Sequence, residues 1–286
     1  TRLLDAIDPD LVVHQGASHT AGYAALWARH RGRRSLFWVA HEIDVDGQYE
    51  AAAGPLLGWL HRRALALAAE VVCTTRRQQS LLDSRRPGRS SVLVRYGVQA
   101  GEADPGSQRV GALWVGRAAG FKRPSLFVDL ARALPEVPFT MVLADNRDGE
   151  GLFDSIRSRA QGVPNLTLCP NLDHPSSVRA VARTRVLVST STQEGLPLVF
   201  LEALAAGTPV ASLAFDPDGL LRDHGVFGCA GGSLESLARM VVQLTSDDAL
   251  FAAVSRRALD LWRTELSLDV HVQRFRDVVG RVAPGR

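Results

Sequence analysis

Short β-branched runs alternate with longer helical stretches along almost the whole chain, and this alternation constrains the fold more than any other feature. Apolar runs of strand length, each separated from the next by a helix's worth of residues, cannot pair through hairpins. They need crossover connections, and crossovers build parallel sheets covered by helices. In the first part of the chain, residues 11–14, 36–40, 71–74 and 92–95 read as buried strands, and 20–31, 55–69 and 76–83 as helices. A polar stretch with Gly, Asp and Pro at 97–106 reads as a linker. The alternation then restarts, with strands expected at 112–115, 139–143, 166–169, 186–189 and 210–213 and helices at 125–134, 152–161, 176–183 and 198–206. Three more helical stretches, 234–245, 249–264 and 268–282, close the chain. The expectation is an α/β protein of two units, 1–98 and 99–286. Ligands of such sheets bind outside the carboxyl ends of the strands, and a cleft between two units is a natural place for one.

Composition narrows the class. Of 286 residues, 46% are apolar and 22% charged, with a net charge of only +3, so the chain can bury a core and is not disordered. No apolar stretch approaches the ~18 residues that cross a bilayer. Cys73, Cys169 and Cys229 are far apart and odd in number. That suits neither a disulfide framework nor a zinc site and points to reduced core thiols in a cytoplasmic protein, and no signal-peptide pattern is visible.

Charge is unevenly placed. Residues 1–98 hold 13 Arg against 9 acids, whereas 99–286 hold 20 basic against 21 acidic residues. Part of the excess is Arg85, Arg86, Arg89 and Arg95. It reads as a solvated face or, second, as a surface for an anionic membrane or a phosphorylated acceptor. Nucleic acid fits less well, because no helix-turn-helix spacing or aromatic–basic interleaving accompanies the charge. Of the 33 basic residues only Lys122 is lysine. Where Arg serves for nearly every cation, a retained Lys marks a place suited to a compact ammonium.

The densest chemistry lies at 189–209, STSTQEGLPLVFLEALAAGTP. A buried strand ends in a polar loop, and a helix begins near Leu198 after Pro197, a good helix-start residue. Free amides at Leu198 and Val199, with the positive end of the helix dipole, make an anion site. Glu194 stands before those amides and Glu202 eight residues on, inside the helix. A carboxylate on each side of an anion site suits a ligand with hydroxyls at both ends and phosphates between, which describes a nucleotide sugar.

Glu194 and Glu202 form an E-x7-E pair within E-G-L-P-x-V-x-L-E-A-x-A-x-G-T-P-V, and this pattern resembles the signature of retaining glycosyltransferases of family 4. Trp114-Val115-Gly116-Arg117 followed by Lys122-Arg123-Pro124 is similar to that family's strand-end Gly-Arg and the Lys at the next helix. In the first unit, residues 9–14 and 36–41 resemble later parts of the family's N-terminal domain, with His41 just past a strand. Residues 74–82 and 94–98 resemble the segments leading into the donor domain.

The resemblance implies a GT-B-like fold, two Rossmann-like parallel-sheet domains facing a cleft. It implies retaining glycosyl transfer from a nucleotide-diphosphate sugar; with Arg117 and Lys122 as cations no metal or other cofactor is expected, and the Arg-rich first unit points to a cell-surface glycan or lipid-linked sugar as acceptor. By the same resemblance Arg117 and Lys122 bind the donor diphosphate, helped by the backbone from Gly195 through Leu196, Pro197 and Leu198 to Val199. Glu194 engages sugar hydroxyls, Glu202 the ribose diol, and His41 faces the donor sugar and its phosphate. Apart from the resemblance, the reduced cysteines point to a cytoplasmic location and the Arg-rich first unit to peripheral contact at the inner membrane face.

The sequence departs from the family pattern in two places. The opening strand and Gly-rich loop of the N-terminal domain are not matched, so the first domain is expected to be incomplete. Leu143-Ala144-Asp145-Asn146 stands where the family often has a glycine-rich turn. The doublets Asp44-Val45-Asp46 and Asp216-Pro217-Asp218 resemble metal-binding D-x-D motifs, but such doublets are common in loops. Two other classes stay open: a non-catalytic nucleotide-sugar-binding or scaffold protein, and a GT-B-fold sugar-nucleotide epimerase.

Overall fold

The computed structural model describes residues 2–100, 108–145 and 151–283. Residues 101–106 of the expected linker, and Asn146, lie outside the described residues. The chain forms two units, Thr1–Tyr96 with Asp269–Arg286, and Gly97–Leu268.

The first unit runs α1 (Arg2–Ile7), β1 (Leu11–Gln15), α2 (His19–His30), β2 (Arg34–Trp38), a 3-10 turn at Glu42–Asp44, α3 (Gln48–Ala52), α4 (Gly54–Leu67), β3 (Glu70–Cys73), α5 (Arg76–Arg85) and β4 (Ser91–Leu93). The strands pair in the order β1-β2-β3-β4, all parallel. On one face Phe37, Val39 and Val71 pack against Ala21 and Ala25 of α2 and Ala64 and Leu65 of α4. The small residues let the two helices approach closely. At Gly22 an added Cβ would lie 2.5 Å from the Leu60 carbonyl oxygen, so only glycine fits there. Thr75 and Gln78 form a reciprocal capping box that fixes the start of α5.

The second unit runs β5 (Ala112–Arg117), a 3-10 turn at Gly120–Lys122, α6 (Pro124–Ala133), β6 (Phe139–Ala144), α7 (Leu152–Ala160), β7 (Leu166–Pro170), α8 (His174–Ala182), β8 (Val186–Ser189), α9 (Leu198–Ala205), β9 (Val210–Ser212), α10 (Leu220–Asp223), β10 (Phe227–Cys229), α11 (Leu234–Ser246) and α12 (Asp248–Leu261), followed by a π-helical turn at Trp262–Leu266. Its six strands are all parallel in the order β10-β9-β8-β5-β6-β7. The connections therefore wind outward in both directions from β5 and β8, and the boundary between these two strands is the topological switch point. Trp114, Phe127, Phe139 and Met141 are fully buried in the core beneath it. The ends of this unit meet. Val98 N–H donates to the Leu266 carbonyl at 3.0 Å, and Leu268 N–H donates to the Val98 carbonyl at 3.1 Å. The Trp262 indole N–H donates to the same Val98 oxygen at 3.0 Å.

The last helix, α13 (Leu268–Val282), corrects the expected division at 98/99. Its Phe275, Val278, Val279 and Val282 cover the second face of the first sheet, against Leu36, Trp38, Val72 and Val94. Their i, i+3, i+4, i+7 spacing makes one apolar stripe that the sheet can bury. The first unit is thus discontinuous in sequence, and the domain 99–286 loses its final helix to it. Among the described residues no helix is long and apolar enough to cross a membrane.

Candidate functional site

At the switch point the loops after β5 and β8 are stitched together. The Trp114 indole N–H donates to the Thr190 hydroxyl at 3.0 Å, and that hydroxyl donates to the Lys122 carbonyl at 2.6 Å. Arg123, held at a left-handed φ of 45°, donates from Nε to the Thr190 carbonyl at 2.8 Å. Thr192 N–H donates to the Phe121 carbonyl at 2.9 Å. This framework sets two opposite charges in contact. Lys122 Nζ donates to Glu194 Oε1 at 2.5 Å, and the Ser191 hydroxyl donates to the same oxygen at 2.9 Å. The two charged side chains are 17% and 11% exposed, enough shielding to strengthen the pair and enough access for a ligand to enter it. Gly116 makes room: a Cβ there would meet the Trp114 ring at 2.8 Å and Lys122 Cδ at 3.1 Å.

The chain then passes through buried Gly195, Leu196 and Pro197 into α9, whose first residue, Leu198, is exposed. One turn on, Glu202 Oε1 lies 2.8 Å from His174 Nε2. An ionised carboxylate only accepts, so the proton of this bond belongs to the ring nitrogen. His174 is the first residue of α8, whose start is capped by Asp173 accepting from Ser176 N–H at 2.8 Å. Hydrogen bonds from Ser176 hold the Asp173 carboxyl below the usual range. A cavity of about 500 Å³ opens beside this pair, lined by Leu198, Glu202, His174, Pro175, Val178 and Arg179 among others.

The structure thus brings Lys122 and Glu194 into direct contact and joins them through the Gly195–Val199 backbone to Glu202. Arg117 stands exposed at the end of β5, and among the described residues its side chain makes no hydrogen bond or ion pair. His41 belongs to the first unit, exposed just past β2. Its N–H donates to Asp44 Oδ2 at 3.0 Å, and the same buried carboxylate accepts from Ala40 N–H at 2.7 Å and Ala17 N–H at 2.9 Å. Asp44 is therefore committed to shaping the loop that carries His41. Asp216 likewise accepts from Leu221 N–H at 2.8 Å and Arg222 N–H at 3.2 Å. Among the described residues no group of three His, Cys, Asp or Glu is placed to hold a metal ion. Cys73, Cys169 and Cys229 are free thiols, and burial pushes Cys73 up to about 12.

Sequence reasoning alone does not single out His174, Ser191 or Thr190. The Asp-His-Pro at 173–175 is readable as a helix cap, but nothing in the sequence ties His174 to a carboxylate 28 residues away.

Residues 109–247, which include the strand-end cluster, Glu194 and Glu202, match the family model of glycosyl transferases group 1. Over this segment the chain is similar to group 1 glycosyltransferases. Together, the parallel sheets of four and six strands have the fold of GT-B glycosyltransferases. Sucrose-phosphate synthase from Thermosynechococcus elongatus superposes with a TM-score of 0.77 at 17% identity, over 98% of this chain and 75% of that one. TarM of S. aureus, solved as a variant with Fondaparinux, alpha-GlcNAc-glycerol and UDP, superposes at 0.76 with 14% identity, over 97% of this chain and 57% of that one. Anabaena HepE, in complex with UDP and glucose, superposes at 0.75 with 16% identity, over 98% of this chain and 80% of that one. A search of curated protein sequences finds no match. Within the matched segment, the Lys122–Glu194 contact falls at the switch point where open α/β sheets bind their ligands.

Proposed function

We propose that the chain transfers a glycosyl group from a nucleotide-diphosphate sugar with retention of anomeric configuration. One observation carries the reading: an ammonium and two carboxylates, Lys122, Glu194 and Glu202, are grouped around the start of α9 at the sheet's switch point. In this reading the diphosphate takes Lys122 and Arg117 as its cations and the Gly195–Val199 backbone as its amide cradle. Charge grows on the diphosphate as the glycosidic bond breaks, and fixed cations there lower the barrier. These two side chains neutralise it, so the reaction calls for no divalent metal. Glu194 moves from Lys122 to the sugar hydroxyls, and Glu202 accepts from the ribose diol. His41, on the first unit, faces the donor sugar and its phosphate. With no separate nucleophile assigned, the departing phosphate oxygen takes the acceptor's proton on the face it leaves, through an oxocarbenium-like transition state. The acceptor is a cell-surface glycan or lipid-linked sugar, in keeping with the arginine excess of residues 1–98, and the protein works in the cytoplasm.

Thermal stabilisation by UDP, GDP and ADP tests the donor site. UDP is the first choice because it is bound in the TarM and HepE structures. A nucleotide that binds only the folded state adds about 2.7 kcal/mol at ~100 times its dissociation constant. One of the three should stabilise the wild type and lose most of that effect in Glu202→Ala. Equal shifts in both proteins, or none in either, would overturn the assignment of Glu202.

A further inference from the structure

The outward face of α4, in the first unit, is built unlike that of an ordinary surface helix. Its inner face buries Leu60, His61, Ala64 and Leu65. The opposite face usually carries charges of both signs. Here it presents Pro55, Leu56, Trp59, Arg62, Arg63 and Ala66, all apolar or cationic and all exposed. Steps of three and four residues set these six on one stripe along the helix. Leu56 is 64% exposed and Trp59 39%. The Arg63 guanidinium lies over the Trp59 indole, 5.3 Å from the ring centre. The stripe holds no acid, and among the described residues Arg62 and Arg63 make no ion pair. Glu50, on the preceding helix α3, is turned inward and paired with Arg86 at 3.4 Å.

We propose that this stripe docks the protein on an anionic lipid surface. Leucine and tryptophan side chains gain by entering the boundary between headgroups and acyl chains, where an indole ring is well accommodated. Arginines flanking them reach lipid phosphates while their stems cover apolar surface. Charge complementarity selects this occupant. A second copy on the same face would set the two Arg62–Arg63 pairs against each other with no carboxylate between them. The stripe lies wholly within one unit, and the inference stands without the donor site.

Co-sedimentation with vesicles tests it. Vesicles of phosphatidylcholine alone should retain little protein, and vesicles of phosphatidylcholine with phosphatidylglycerol should retain it in a salt-sensitive way. Arg62→Gln with Arg63→Gln should lower partitioning into the anionic vesicles about 25-fold, roughly fivefold for each cation lost near the surface. Leu56→Ser with Trp59→Ser should lower it by roughly tenfold or more. Both double variants should melt with the wild type, which separates lost docking from lost folding. Equal binding to neutral and anionic vesicles, or binding that neither double variant weakens, would overturn the proposal. So would self-association in light scattering that disappears with the same substitutions, since the stripe would then be a contact between copies. Nucleotide-induced stabilisation, read in parallel on these variants, should be unchanged. Its absence would count against the glycosyl-transfer reading and leave the vesicle result standing.

Discussion

Asp44 in the first unit and Glu194 in the second occupy corresponding places, each in the loop after the carboxyl end of a parallel strand, yet their partners differ in kind. Asp44 is satisfied by three backbone amides, those of Ala17, Ala40 and His41. Glu194 is satisfied by two side chains, the Lys122 ammonium and the Ser191 hydroxyl. Backbone donors cannot leave without opening the loops they belong to, so Asp44 is a fixed part of the fold. Side-chain donors can turn to a ligand by changing rotamer, so the charges at Glu194 are exchangeable. Two shielded acids at strand ends look alike in sequence, and the source of their hydrogen bonds separates scaffold from site.

That contrast can be broken from either side. The largest effect should come from Lys122→Ala, which removes a cation from the proposed diphosphate site. Glycosyl transfer should fall about 100–1,000-fold in kcat, with little change in the melting temperature. A large drop in stability with activity preserved would make the pair structural, like Asp44. Asp44→Ala should do the reverse. Leaving three amides without an acceptor should cost about 3 kcal/mol in urea unfolding, while nucleotide stabilisation of the second unit persists. His174→Ala should do least. It frees the Glu202 carboxylate of an exposed partner, and the KM for the donor should move by about fivefold with kcat unchanged. An altered kcat would give His174 a part in the chemistry itself.

Much of this arrangement is legible in the amino-acid sequence because it rests on local pattern. The alternation of β-branched runs and amphipathic stretches locates nine strands, and the solitary lysine of an arginine-rich chain draws attention to Lys122. What escapes is short or long-range. β10, Phe227–Cys229, has three residues with glycine in the middle, too few to show a period, and it pairs only because β9 offers it an edge. α1 and α3, of six and five residues, fall below the length at which periodicity speaks. The helical run expected through residue 264 gives way at Trp262 to a π-helical turn, which no propensity marks. Periodicity marks α13 as a helix, but an amphipathic stripe does not state which sheet it will cover. The stitching of Trp114 to Thr190 and of His174 to Glu202 spans 76 and 28 residues, and only the folded sheet brings those groups together.

The closure between Val98 and Leu266–Leu268 gives the second unit a topology of its own. Its chain enters and leaves at one point, like a loop drawn shut, so Gly97–Leu268 is a cassette set into the first unit between Tyr96 and Asp269. A cassette with adjoining ends can be lifted out or rejoined through a short bridge without stretching anything inside it, the property that makes circular permutation tolerable. The donor site proposed for this unit would travel with it as a block from one scaffold to another.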